Sequence, residues 1–215
     1  MTSNHLTSSY SHPDSDSYPW PLEGYEGFEP LPEEKSSDGK SLVNPPRKDG
    51  ALSPAYEVFP DPLDKGRRGG FDVHVYHFQN NPAQAAFARA LWERIRREFP
   101  ELRIYAFHTR PVGPHPIAMF EVNLFTPAQF GAFVPWLVVH RGPLSVLIHP
   151  NTSVANRKGE GEDGDGAKEV DEEERNHTAR AIWLGEKVPL DLGVFEAMRE
   201  REEEKEKRNK EESSG

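Results

Sequence analysis

The sequence predicts an α+β domain of the split βαβ, ferredoxin-like kind (βαββαβ): an antiparallel sheet with two helices on one face. Three observations carry this expectation. Apolar and polar residues alternate with period two over residues 71–78 and 117–125, as in half-buried strands, and 145–149 is a short apolar run ending in a histidine, as in a buried strand. Two helix-starting signatures, Asn81-Pro82 and Thr126-Pro127-Ala128-Gln129, fall between the strands. Proline-bounded turns separate the pieces in the order strand, helix, strand, strand, helix, strand.

The first strand places Val73, Val75 and His77 on one face and Asp72, His74 and Tyr76 on the other. In the helix that follows, Asn81 is the N-cap and Pro82 the first helical residue. Ala83, Phe87, Leu91, Ile95 and Phe99 form its expected buried stripe, and Pro100 ends it. Residues 102–109 read as the second strand. The stretch Pro111-Val112-Gly113-Pro114-His115-Pro116 is a stiff turn, because each proline fixes its own φ and extends the residue before it. In the third strand Phe120, Val122 and Leu124 oppose Met119, Glu121 and Asn123. The second helix buries Phe130, Phe133 or Val134, and Leu137, and stops near Gly142-Pro143. The fourth strand, Ser145-Val146-Leu147-Ile148-His149, ends in a histidine and breaks at Pro150.

The chain has 215 residues, with 36 Asp and Glu against 26 Lys and Arg. That acidic balance argues against general nucleic-acid binding, which needs a basic face. The absence of cysteine excludes disulfides, thiolate metal sites and a cysteine nucleophile. No apolar run approaches the roughly 20 residues of a membrane-spanning helix, and no secretory pattern opens the chain, so a cytoplasmic protein without membrane partners is expected. Residues 1–66 are polar and rich in proline and glycine, and read as a disordered or loosely attached segment. Tyr18, Trp20, Tyr25 and Phe28 are its candidate docking residues. The domain is expected over 67–200, with an acidic, solvated loop insertion over 154–175 and a charged tail over 201–215. Order restarts at Asn176-His177-Thr178-Ala179, and a charged helix from Asp191 docks through Leu192, Phe195 and Met198.

If both helices cover the Val73 face, alternation puts His74, Glu121 and His149 together on the open face. These three, with His115 and His177, gather into one candidate metal-centred site. The open face also carries Tyr76, Met119 and Leu147 and needs a cover. A second copy of the chain, giving a homodimer, is the first expectation; the N-terminal segment and the C-terminal elements are the others.

Four stretches together resemble the fungal and bacterial DOPA 4,5-dioxygenase family. They are Asp72-Val73-His74-Val75-Tyr76; Pro111-Val112-Gly113-Pro114-His115-Pro116 with Met119-Phe120-Glu121-Val122; Ser145-Val146-Leu147-Ile148-His149-Pro150-Asn151-Thr152; and His177-Thr178 with Trp183-Leu184-Gly185. They span about 70–193. The chain departs from the family at Ser153, usually glycine, and at Asn176, where the family has an Asp-His pair. The resemblance implies non-haem iron(II), dioxygen and extradiol opening of a catechol ring, with DOPA as the model substrate. Iron(II) held by two histidines and one carboxylate keeps three positions open on one side. His74, Glu121 and His149 are the expected ligands, and His115 or His177 could replace Glu121. His115 and His177 are the expected proton-transfer groups. Tyr76 and Asn123 could hold the ring oxygens, and Arg110 or Arg103 a substrate carboxylate. A metal- or small-ligand-binding module without catalysis is the alternative on the same fold.

Overall fold

The computed structural model describes residues 21–22, 24–25, 27–47, 49–152 and 166–213. The chain divides into two units, Met1–Ala51 and Leu52–Gly215. Within the first, a bridge joins Lys35 to Leu42 around a turn in which Asp38 accepts the amides of Lys40 and Ser41. Tyr25 and Phe28 meet edge-on there, with ring centroids 6.0 Å apart; Tyr18 and Trp20 lie outside the described residues.

The second unit holds a five-stranded antiparallel sheet in the order β2-β3-β1-β4-β5. Its strands are β1 (Phe71–His77), β2 (Arg103–Ile104), β3 (Ala118–Leu124), β4 (Val146–Pro150) and β5 (Ile182–Leu184). Its helices are α1 (Pro82–Glu98), α2 (Pro127–His140), α3 (Gly166–His177) and α4 (Gly193–Ser213). β1 lies between β3 and β4, and each crossover helix returns the chain past one intervening strand, as the split βαβ arrangement requires. β2 is shorter than expected: only Arg103 and Ile104 pair with β3, although Tyr105 and His108 still donate to the Glu121 and Met119 carbonyls. The fifth strand, β5, extends the sheet beyond β4.

Both capping readings hold. Asn81 accepts the Gln84 amide and Thr126 accepts the Gln129 amide, each with proline in the first turn. Gln129 reaches back to the Phe125 amide at 2.7 Å. The helix-facing core joins Val73, Val75, Phe120, Val122, Val146 and Ile148 to Leu91 and Ile95 of α1 and Phe133 and Leu137 of α2. The α1 stripe is rotated from the expected one, since Ala88 is buried while Ala83 and Phe87 are exposed. Phe87 lies instead over Gly142, whose φ of 55° ends α2 and where a Cβ would meet the ring.

Three expectations are corrected. Residues 52–66 are part of the compact unit: Phe59 is buried, fills the space a Cβ at Gly70 would take, and meets Phe71 edge-on at 5.4 Å. Leu63 bridges to Thr152 there as well. These apolar contacts sit in a proline-broken stretch without period, so alternation did not reveal them. The loop expected for the acidic insertion is also corrected where its residues are described. Residues 153–165, including Ser153, lie outside the described residues, but Gly166–His177 is helix α3, with Val170 and Glu172 buried. Finally, the second face of the sheet is covered by the chain's own C-terminal part. Tyr76, Met119 and Leu147 pack with Ala181, Trp183, Val188 and Leu190, so this face does not call for a second copy.

Candidate metal centre

Register alone brings the first histidines together. His74 pairs with Glu121 of β3 on one side and Leu147 of β4 on the other, while Asp72 pairs with Asn123 and His149. Two-residue alternation therefore turns Asp72, His74, Glu121, Asn123 and His149 to the same face. His115 arrives from a tight turn in which Val112 and His115 exchange backbone hydrogen bonds and Gly113 takes a φ of 56°. Its position is tied to the C-terminal segment, where the Asp191 amide donates to the Pro114 carbonyl. His177 comes from the last residue of α3. A buried network fixes that end: Glu172 accepts from Arg180 at 2.7 Å and from Thr152 at 3.1 Å, and Asn176, fully buried, bonds Thr152 and Arg180.

The result is a cluster of four buried imidazoles. Ring centroids are 3.9 Å apart for His149 and His177, 4.2 Å for His74 and His115, and 5.1 Å for His74 and His149. His74 Nε2 and His149 Nε2 are 3.0 Å apart. Carbonyl oxygens only accept, so His149 and His177 donate Nδ1–H to the Pro150 and Glu173 carbonyls, at 3.0 and 2.9 Å. Neutral, both present an Nε2 lone pair to the centre, the pairing that orients metal-binding histidines. The Tyr76 hydroxyl meets His115 Nδ1 at 2.7 Å, and the Tyr76 ring stacks on Trp183.

Burial, reinforced by the neighbouring imidazoles, drives His74 and His149 well below the usual histidine value. Burial also lowers His177, against the pull of Glu173, and brings His115 to about 3. The carboxyls move the other way. Burial and the nearby Glu121 charge push Asp72 up to about 7, although Asn123 and Asn151 both donate to its Oδ1. Glu121 is also raised by burial.

Two sets of three among the described residues bring one possible ligand atom each within 4.8 Å of the others: His74, His115 and His177, and Asp72, His74 and His149. Buried His74 Nδ1 has no hydrogen-bond partner. Neutral lone pairs, that orphaned nitrogen and an adjacent carboxylate form a donor set suited to a divalent transition metal. Glu121 belongs to neither set. Its Oε2 is 4.0 Å from His74 Nδ1, and its Oε1 accepts from Asn123. Sequence reasoning missed Asp72 as a ligand, although alternation placed it on the same face as His74.

A cavity of about 420 Å³ opens on the cluster, within the roughly 300–1,000 Å³ of small-ligand sites. Asp72, His74, Glu121, Asn123 and His149 of the sheet line it, together with His115 of the turn, His177 of α3, and Phe195 and Met198 of α4. Asn123 holds Asp72 and Glu121 and keeps a buried, unpartnered Oδ1 in this wall. Tyr76 is outside the lining, with its hydroxyl engaged by His115. Arg110 is exposed and does not line the cavity, and Arg103 donates to the Arg67 carbonyl; the cation in the lining is Arg68.

Residues 71–194 match the model of the Dopa 4,5-dioxygenase family. An uncharacterized 21.2 kDa protein of Botryotinia fuckeliana is 61% identical over 183 residues, which cover 85% of this chain and 93% of that protein. The DOPA 4,5-dioxygenase of Amanita muscaria is 30% identical over 125 residues, which cover 55% of this chain and 46% of that enzyme, so the match spans under half the enzyme's length. A Nostoc punctiforme crystal structure, described as that of a candidate dioxygenase, is 29% identical. It covers 60% of this chain and 93% of its own, with a TM-score of 0.46.

Proposed function

The chain belongs to the Dopa 4,5-dioxygenase family, and from that premise we propose that it is an iron(II)-dependent extradiol dioxygenase that opens the ring of a catechol, with DOPA the first substrate to test. The observation that carries this reading is the convergence of Asp72, His74 and His149 within 4.8 Å at the floor of a cavity whose lining also holds His115 and His177.

Asp72, His74 and His149 would hold the metal, a two-histidine, one-carboxylate set. Iron bound there would supply the redox chemistry that lets dioxygen react with an aromatic ring. Asn123 and Asn151 fix the Asp72 carboxyl through its Oδ1. The Pro150 carbonyl keeps a proton on His149 Nδ1 and leaves Nε2 as the donor atom. His177 then receives a proton a catechol loses on binding and returns one when the ring opens. His177 is set for this by its Nδ1–H bond to the Glu173 carbonyl, which directs its basic Nε2 inward. Tyr76 holds His115 in place. The apolar walls of Met119, Phe195 and Met198 exclude water from the reacting ring.

A second ligand set, His74, His115 and His177, is favoured by the same proximity criterion and by the orientation of His177. Iron content after anaerobic reconstitution separates the two, measured beside oxygen uptake with DOPA. On the first reading Asp72→Asn loses iron, while His177→Ala keeps it and loses turnover by at least about 100-fold, the usual scale of a general acid–base group. On the second, the iron contents are exchanged. No oxygen uptake by iron-replete wild-type protein with any catechol would remove the dioxygenase reading.

A further inference from the structure

Among the described residues lining the central cavity there is one Arg or Lys, Arg68. It stands just before the Gly69-Gly70 entrance to β1. Its Nη2 donates to both carboxylate oxygens of Glu173, at 3.0 and 2.8 Å, and to Asn151 Oδ1 at 3.1 Å. Asn151 is fully buried and donates to Asp72 Oδ1 and the Gly69 carbonyl. The guanidinium is thus moored, through one amide, to the carboxyl beside the candidate metal ligands. Its partner Glu173 sits on α3, whose backbone carbonyl at the same residue orients His177. A second cavity, of about 590 Å³, shares Arg68, Glu173 and Met198 with the first, so the ion pair stands where the two spaces adjoin.

Half of the Arg68 side chain is exposed, and such a pair is held weakly. A guanidinium presents parallel donors that match a carboxylate in two-point fashion. A ligand bearing both charges could take each partner of the pair without leaving either alone. A ligand with only a carboxylate would strip Arg68 from Glu173, whose side chain is only 23% exposed, and leave that acid unpaired.

We infer that the Arg68–Glu173 pair is the receptor for an α-amino-acid group on the substrate, Arg68 taking its carboxylate and Glu173 its ammonium. The inference rests on the proposed function and names the two residues that read the amino-acid end of such a catechol. Arg68 and Glu173 act by binding and set specificity; proton transfer stays with the histidines.

The test is anaerobic calorimetry of the full-length, iron-replete protein with four ligands: DOPA, 3-(3,4-dihydroxyphenyl)propionate, dopamine and 4-methylcatechol. Oxygen uptake is measured on the same set. Wild-type protein is expected to bind DOPA at least tenfold more tightly than 4-methylcatechol, with the propionate and dopamine between them. Arg68→Met should abolish the advantage of the propionate over 4-methylcatechol and reduce that of DOPA to the level of dopamine. Glu173→Gln should weaken DOPA and dopamine but not the propionate, and Arg68→Lys should recover part of the carboxylate preference. If Arg68→Met lowers affinity for all four ligands by one factor, Arg68 is only structural and the inference fails while the function stands. If wild-type protein neither binds nor consumes any catechol, the proposed function fails and the inference with it. Should Arg68→Met not fold, as seen by circular dichroism, the Glu173→Gln comparison decides alone: an unchanged ligand order overturns the inference.

Discussion

His74, His149, His115 and His177 are buried imidazoles whose protonation is suppressed in the folded protein. In the unfolded chain each takes up a proton near pH 6.5. As pH falls from 7.5 to 5, the unfolded metal-free chain therefore takes up protons that the folded chain resists, about one at each of His74, His115 and His149. Asp72, up at about 7, and the raised Glu121 work in the opposite direction, because the folded state holds protons there that the unfolded state releases. The buried histidines outweigh the two carboxyls, so the metal-free protein should melt at a lower temperature at pH 5 than at pH 7.5. Calorimetric scans at the two pH values check this; equal or reversed midpoints would mean the cluster is solvated or already protonated. Among single residues, alternation was enough to align His74, Glu121 and His149. It could not choose between Glu121 and Asp72, because that depends on side-chain length and on which strand lies next to His149. Arg68 was not legible either, since nothing in its local sequence separates it from Arg67 or Arg110.

At the scale of elements, α3 departs furthest from expectation. Its acidic composition suggests a solvated loop, yet Glu172 turns inward to Arg180 and Thr152. Charge runs read as surface because composition carries no partner, and here the partners come from the end of β4 and from the segment after the helix. Glu172→Ala leaves Arg180 without its carboxylate partner and should destabilise the domain by about 3 kcal/mol, the scale of breaking a buried ion pair. Because the same network fixes the helix end that carries His177, iron affinity should fall with it. Chemical denaturation and metal titration of this variant measure the two effects, and a full loss of stability with unchanged iron affinity would separate the network from the site. The α1 stripe shows a smaller failure of the same kind. Helical spacing located the helix, but Phe87 found its contact in the Gly142 turn rather than in the core, a tertiary choice that period alone does not encode.

For the whole molecule, strand order and the identity of the two faces were readable, because six elements in a fixed sequence with a period-two pattern leave few topologies. The start of the domain was not. Every buried hydrophobic residue among the described ones lies from Phe59 onward. Removing residues 1–51 should therefore leave the melting temperature of the second unit unchanged. Removing 1–66 takes away Phe59 and the Leu63 bridge and should cost at least about 3 kcal/mol, the lower range for deleting a buried phenylalanine side chain. Thermal unfolding of the two truncations distinguishes the boundaries; equal stability would return it to the later position. Among the described residues no helix is long and apolar enough to cross a membrane.

The covering of the sheet by the C-terminal part of the same chain also fixes a chronology. β1 brings His74 early in synthesis, whereas His177, Phe195 and Met198, which complete the cavity, emerge last. A nascent chain stalled after β4 holds β1, β3, β4, α1 and α2 and three of the four imidazoles, but not the residues of α3 and α4 that close the cavity over them. The completed cluster then becomes a mark that translation has passed α3.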